Sequence, residues 1–422
     1  MSCNNHTNHI LSSLIAIYYN NTFSLAHVIR GCDKVVNEEV LFMRIRSTRV
    51  WIVSSFMPAD LIIENNIIQS VEPYRAVPEA DADYGDCRIV PGFIDVHTHG
   101  AYGFDTNYAD PEGLKKWTAG VVSEGVTGLL ATTVTDSKET LLKALANVNA
   151  VASGSYDGAR ILGVHLEGPY LDSKYKGAQP PEAIVPPSVE EFRQYQNASG
   201  NRIRIITLAP EHDEGFALTH YCVSQGIVVS MGHSDATYEQ AQLAVANGAR
   251  SITHTYNAMR PLKHRENGMV GIALRMHDLY SEIICDCNHS TPEALHIFFQ
   301  AKDADKALMI SDSLMCKGSA PGERFLFGGH WIEIYPDGSA HLVEEKNLAG
   351  STMRMNEGLR NLVERAMVPF EKAINACTIN PARLLRMDDH IGRIAAGYDA
   401  DIAVLNDDYS VLQTYVKGSP QL

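Results

Sequence analysis

Between residues 91 and 315 the chain alternates short apolar runs with longer segments that carry helix signals. The runs are "GFIDVHTH", "VTGLLATTV", "RILGVHLE", "IRIITLAP", "GIVVSMGHS", "SITHTYNA", "SEIICDCNH" and "ALMISDS". Apolar strands alternating with helices predict parallel βαβ units. The punctuation agrees: Asp110 then Pro111, and Thr291 then Pro292, read as N-cap and first helical position, and Gly248 closes "TYEQAQLAVANG". Eight such repeats fit a closed (β/α)8 TIM-like barrel better than an open sheet.

Upstream of the barrel the period shortens to that of strands, in "TRVWIV", "DLIIENNIIQSV" and "CRIV", with "ENN" as a turn. Beyond the barrel, "NPARLLRM" predicts a last helix opened by an Asn380 and Pro381 cap, and "GRIAAGYDADIAVLNDDYSV" returns to short strands. These two stretches are expected to build one small discontinuous β-sandwich domain from both chain ends. The expected organisation is an N-terminal extension at 1–42, the small β-domain at 43–90 and 386–422, and the catalytic barrel at 91–385. The extension is Asn-rich at its start and offers no clear partner element, and Met43 reads as the functional start.

The chain has 422 residues, 45% of them hydrophobic, enough for a full core. Its formal charge of -15 argues against a general nucleic-acid binder, because such binding neutralises phosphates with Lys and Arg. An anionic ligand must therefore meet a local basic patch. The eight cysteines are scattered without a CxxC pair, as expected for reduced thiols in a cytoplasmic enzyme. No run approaches the roughly 20 apolar residues of a membrane span, and "ILSSLIAIYY" lacks the basic flank of a signal peptide.

In such a barrel the chemistry sits where strands end and βα loops begin. His97 and His99 end the first run, Glu167 the third, His233 the fifth and Asp312 the eighth, while His254 lies late in the sixth. Residues two apart on a strand share a face, so His97 and His99 can close on one ion, with Asp95 one layer deeper. A single histidine here would pass as an ordinary core residue. Four imidazoles and two carboxylates from five strand ends instead form a ligand set that zinc or ferrous iron accepts. His165 shares the face of Glu167 and reads as an outer partner of the ligands. A divalent ion lowers the pKa of a bound water toward about 7 and polarises a carbonyl. Asp312 is placed to take the water proton and pass it to a leaving nitrogen. The expected chemistry is metal-assisted hydrolysis of an amide-like bond.

The motifs "PGFIDVHTHG", "GVHLEGPYLD", "TLAPE", "VSMGHSDAT", "THTYNAMRPLKHRENG", "SDSLMCKG", "LAGSTMRMNEG" and "GYDADIAVL" resemble the N-acetylglucosamine-6-phosphate deacetylases of the amidohydrolase superfamily, over roughly residues 43–420. The resemblance implies hydrolysis of the N-acetyl group of an amino-sugar phosphate, N-acetyl-D-glucosamine 6-phosphate, in amino-sugar catabolism. It implies Glu167, His233 and His254 as ligands of a principal divalent metal and Asp312 as catalytic acid/base. It further implies His97 and His99 as ligands of a second ion bridged by Glu167. Some members lack the H-x-H pair and use one metal; this chain keeps the pair, so one or two ions per subunit, zinc or iron, are expected. Carried over in the same way, Arg265 matches a phosphate contact, Asn257 and Ala258 match positions near the sugar phosphate, and His289 matches a substrate contact. A homodimer is implied as well, with no nucleic-acid or membrane partner.

Three positions depart from the family pattern. Gln179 stands where some members have histidine, and a neutral amide can orient the acetamide without acting as an acid. Cys287 in "CDCNHS" replaces a usual glycine, and Asn267 in "HRENG" a usual proline. Other amidohydrolases, cyclic amidases or N-acyl amino acid deacylases, need a pocket for a carboxylate and several use a carboxylated lysine, yet "TLAPE" ends the fourth run without one. A catalytically inactive sugar-phosphate-binding homologue is expected to have lost ligands that this chain retains.

Overall fold

The computed structural model describes residues 15–19, 22–26, 37–75 and 78–422, with side chains from residue 42 onward. An 8-stranded parallel sheet runs in chain order. Its strands are β1 (Phe93–Thr98), β2 (Val126–Thr133), β3 (Arg160–Glu167), β4 (Ile203–Leu208), β5 (Val228–Met231), β6 (Ser251–Ile252), β7 (Tyr280–Ile284) and β8 (Ala307–Ile310). Seven fall inside one of the apolar runs, and β7 begins one residue ahead of its run, at Tyr280. Burial on both faces explains why β2 is apolar or threonine at every buried position rather than alternating. The ring closes between β8 and β1 just beyond the regular strands. There the Asp312 N–H donates to the His97 carbonyl at 2.8 Å and the His99 N–H to the Ser313 carbonyl at 2.9 Å. Three of the residues singled out for chemistry thus also form the seam of the barrel.

Three of the four helix signals hold where they were read. Asp110 accepts from the Glu112 N–H at the head of Pro111–Val121, and Thr291 from the Ala294 N–H at the head of Pro292–Ala301. Tyr238–Ala246 starts at a Thr237 capping box and is followed by Gly248 at φ 111°. The Asn380 and Pro381 cap is corrected: the helix is Ile379–Leu384 with Thr378 before it. The Asn380 side chain is drawn into the barrel base, donating to the carbonyls of Ala304 at 2.8 Å and Ala307 at 2.9 Å.

Beside the barrel lies a second, 10-stranded sheet. Its C-terminal strand Ile402–Leu405 pairs antiparallel with Arg88–Pro91, so both chain ends do build it. Ile45, Leu61, Ile63, Ile89, Ile402 and Val404 form its core. The expected turn is Asn65 and Asn66, both left-handed at φ 52° and 70°, which is the backbone a two-residue hairpin requires. Contrary to the expectation of an unpartnered extension, the strand containing Met43 begins earlier, at Asn37–Ile52, and pairs with Thr22–Ala26. The start of the chain, with Cys3 and Cys32, lies outside the described residues.

One element was not anticipated. Arg324–Phe327, His330–Ile334 and Ala340–Leu342 form a 3-stranded antiparallel sheet after β8. Its Phe327, Ile332 and Leu342 pack with Val134, Leu314 and Met315 beside the barrel mouth. Cys87, Cys222, Cys285, Cys287, Cys316 and Cys377 are free thiols. No helix among the described residues is long and apolar enough to cross a membrane.

Candidate active site and metal centre

His233, His254 and Asp312 occupy equivalent places, each two residues beyond its strand, β5, β6 or β8. All three have left-handed backbones, with φ of 47°, 27° and 50°. Such a conformation costs a non-glycine residue about 1 kcal/mol or more and persists only where surroundings over-determine it. Those surroundings are visible. The His233 carbonyl accepts from the Asp172 N–H at 2.8 Å, the Asp312 carbonyl from the Ser351 N–H at 2.7 Å, and the His254 N–H donates to Glu282 at 3.3 Å.

The result is a tight convergence around Glu167, the last residue of β3. Its Oε1 lies 3.1 Å from Nε2 of His254, 3.2 Å from that of His233 and 3.3 Å from that of His97. Its Oε2 lies 3.5 Å from His99 Nε2. Asp312 Oδ1 is 3.2 Å from His99 and 3.5 Å from His97. Three groups with metal-ligand spacing meet here, Glu167 with His233 and His254, His97 with His99 and Asp312, and, one layer out, His97 with His165 and Glu282.

The donor chemistry fits a divalent cation. His233 Nδ1 donates to the Tyr175 carbonyl at 2.9 Å and His97 Nδ1 to Glu282 at 2.9 Å, so both present Nε2 lone pairs inward. His97 Nε2 is buried without a hydrogen bond, and the Nε2 atoms of His233 and His254 approach to 3.0 Å. The electrostatics point the same way. Burial pulls the His97 imidazole down, but Glu167, Asp312 and Glu282 outweigh it and hold it well above its ordinary value. Burial likewise pushes Asp312 up, but His97 and His99 hold its carboxyl down to about 2. Glu167, against the same penalty, is held well below the carboxylate range by His97 and His233. The carboxylates thus create a strongly negative pocket that stabilises positive charge.

A cavity of about 280 Å³ opens over these groups, lined by His99, Glu167, His233, His254, Asp312, Gln179, Asn257, Ala258 and His289 among others. Gln179 lines the cavity with two of its polar groups already engaged. Its Oε1 accepts from the Thr135 N–H at 2.7 Å and its amide nitrogen donates to Glu167 Oε2, so much of its bonding capacity orients Glu167. His289 is held through Nδ1 by Asp286 at 2.7 Å, leaving Nε2 for a ligand. Arg265 lies on an exposed loop and does not line the cavity. His165 is an outer residue: burial holds it well below its ordinary value, Nδ1 donates to the Val96 carbonyl at 3.0 Å, and Nε2 accepts from Thr207 at 2.7 Å. Asp95 sits deeper, as expected, accepting from Ser311 Oγ at 2.5 Å, with burial raising it to about 6.

The amidohydrolase family model matches residues 88–420, all of the barrel and the C-terminal return into the small sheet. The chain belongs to the amidohydrolase family. It is 38% identical to the N-acetylglucosamine-6-phosphate deacetylase of Bacillus subtilis (strain 168), across 82% of this chain and 87% of that one. It is 32% identical to the N-acetylgalactosamine-6-phosphate deacetylase of Escherichia coli O157:H7, across 85% and 93%. Among solved structures it resembles a mutant N-acetyl-D-glucosamine-6-phosphate deacetylase of Mycobacterium smegmatis in complex with N-acetyl-D-glucosamine-6-phosphate. The TM-score is 0.85 at 29% identity, over 90% of this chain and 99% of that one.

This amidohydrolase also explains two of its departures. Cys287 has φ 63°, a conformation that glycine adopts without steric cost. Cys287→Gly is therefore expected to change stability little or raise it, by up to about 1 kcal/mol, in urea unfolding of the apo and metal-loaded enzyme. Asn267 has φ -74°, within the range proline imposes, so the same backbone serves either residue.

Sequence reasoning missed Glu282, Leu314, Phe327, Asn347 and Leu348. Glu282 stands out as a carboxylate within the apolar "YSEII" of β7, a usable signal. The others lie in or beside the unanticipated sheet, whose signals were the "GG" and "PDG" turns flanking alternating residues.

Proposed function

We propose that this amidohydrolase removes the N-acetyl group of N-acetyl-D-glucosamine 6-phosphate, releasing D-glucosamine 6-phosphate and acetate. The observation carrying this reading is the convergence of His99, Glu167, His233, His254 and Asp312 on one cavity that also holds Asn257, Ala258 and His289, with His97 buried behind them. Glu167, His233 and His254 would hold the principal ion, and His97 and His99 a second, with Glu167 shared. Zinc or iron suits these ligands. A divalent ion there supplies water of lowered pKa and a polarised carbonyl.

The protein's own groups do the rest. Asp312, held ionised, accepts the proton of the attacking water and returns it to the nitrogen as the C–N bond breaks. Gln179, anchored at Thr135 and Glu167, has a second N–H to orient the acetamide. Arg265 would meet the 6-phosphate at the rim, where the planar guanidinium suits a bidentate contact. Arg265→Ala is expected to raise KM for the phosphorylated sugar about tenfold to hundredfold, from the roughly 1.5–3 kcal/mol of a charged hydrogen bond, with kcat nearly unchanged. An unaltered KM would remove Arg265 from the phosphate site.

The deciding assay is acetate release from N-acetylglucosamine 6-phosphate, its unphosphorylated form and N-acetylgalactosamine 6-phosphate, using metal-reconstituted protein. No turnover of the first sinks the proposal, and faster turnover of the galacto epimer reassigns the substrate. The same reading includes a cytoplasmic homodimer, for which light scattering should give twice the chain mass of 46.4 kDa.

A further inference from the structure

Glu282 is fully buried in the middle of β7, between residues that are themselves buried. A carboxylate in such a place calls for donors, and only one of its oxygens has them, Oε1 being buried without a hydrogen bond. Its Oε2 accepts from His97 Nδ1 at 2.9 Å and from the His254 backbone N–H at 3.3 Å. Its backbone carbonyl accepts from the Thr255 N–H at 2.7 Å. One residue thus grips an imidazole on β1 and both peptide groups flanking the left-handed His254 turn.

We propose that Glu282 is a positioning residue that couples the two metal-ligand groups, acting chiefly through His97. The inference rests on the reading of His97 as a metal ligand. A carboxylate at Nδ1 fixes the tautomer whose Nε2 lone pair faces Glu167 and Asp312, sets the ring orientation, and raises the basicity of the ligating nitrogen. The same oxygen holds the His254 N–H, so one ligand of each group depends on one carboxylate. Glu282 touches no reacting atom in this scheme.

The test is zinc binding to the full-length metal-free chain, measured by competition with a chelator of known affinity. The proteins are wild type, E282A, E282Q, H97A and the double variant E282A/H97A. E282A is expected to weaken zinc binding about tenfold to hundredfold, the usual cost of losing an outer partner of a ligand. E282Q, whose carbonyl can accept the same two N–H groups, should lose less. In the H97A background, E282A should add much less than it costs alone. Full additivity would overturn the proposal, as would unchanged affinity in E282A with only a lowered Tm of the metal-free protein. Should E282A fail to fold, E282Q carries the same comparison in the wild-type and H97A backgrounds. Unaltered zinc binding in H97A removes His97 from the ligand set and overturns both readings. Weakened binding in H97A with none in E282A or E282Q overturns this one alone.

Discussion

Asp312→Asn is expected to lower kcat by about 10²–10⁴-fold, the range that a positioned acid/base contributes, while metal content and fold persist. The change keeps the side chain's shape but removes its ability to accept and return a proton, together with one negative charge beside His97 and His99. Its consequences for structure should be small, because the backbone role of Asp312 is independent of its carboxylate. The Asp312 N–H still donates to the His97 carbonyl, and its own carbonyl still accepts from Ser351, so the barrel seam and the left-handed turn survive. Activity, metal analysis and thermal melting together check this. Turnover near the wild-type rate would exclude Asp312 as the proton carrier. Lost metal with lost activity would make it a ligand first, an outcome its 3.2 Å approach to His99 makes worth measuring.

Glu167→Ala should have the largest effect on the metal. Its two oxygens lie within 3.5 Å of Nε2 on His97, His99, His233 and His254, so this one side chain joins all four imidazoles. Removing it deletes the carboxylate common to both groups, and zinc affinity should fall by more than about 100-fold, beyond the cost of losing an outer partner. The stabilisation that wild type gains from added zinc, which follows ligand concentration over Kd, should shrink accordingly. Titration of zinc into metal-free wild type and variant, followed by Tm, gives the comparison. An equal rise in Tm for both would place the ion elsewhere.

Much of this arrangement was legible along the chain because it depends on local rules. Strand runs buried on both faces are apolar whatever their neighbours, so all of β1 to β8 could be read. Helix caps are likewise local, and the one that misled, at Asn380, did so because the barrel base competes for its amide. The small domain was legible in kind, though its strand Asn37–Ile52 begins ahead of Met43. Gln179 shows the limit: it lines the cavity, but its hydrogen-bond partners come from separate loops and strands, Thr135 and Glu167.

The alternation of strands and helices, the strand-end placement of His97, His99, Glu167, His233, His254 and Asp312, and hence the class of chemistry, were written in the order of residues. Direction and partnership were not. That His233, His254 and Asp312 turn inward requires left-handed backbones held by hydrogen bonds from other strands and loops. That Glu282 supports His97 rather than merely interrupting β7 depends on a contact across 185 residues of sequence. That Arg265 stands outside the cavity depends on where its loop settles. Periodicity and capping act over a few residues, whereas these features arise only when the ring closes and brings distant strand ends within hydrogen-bonding reach.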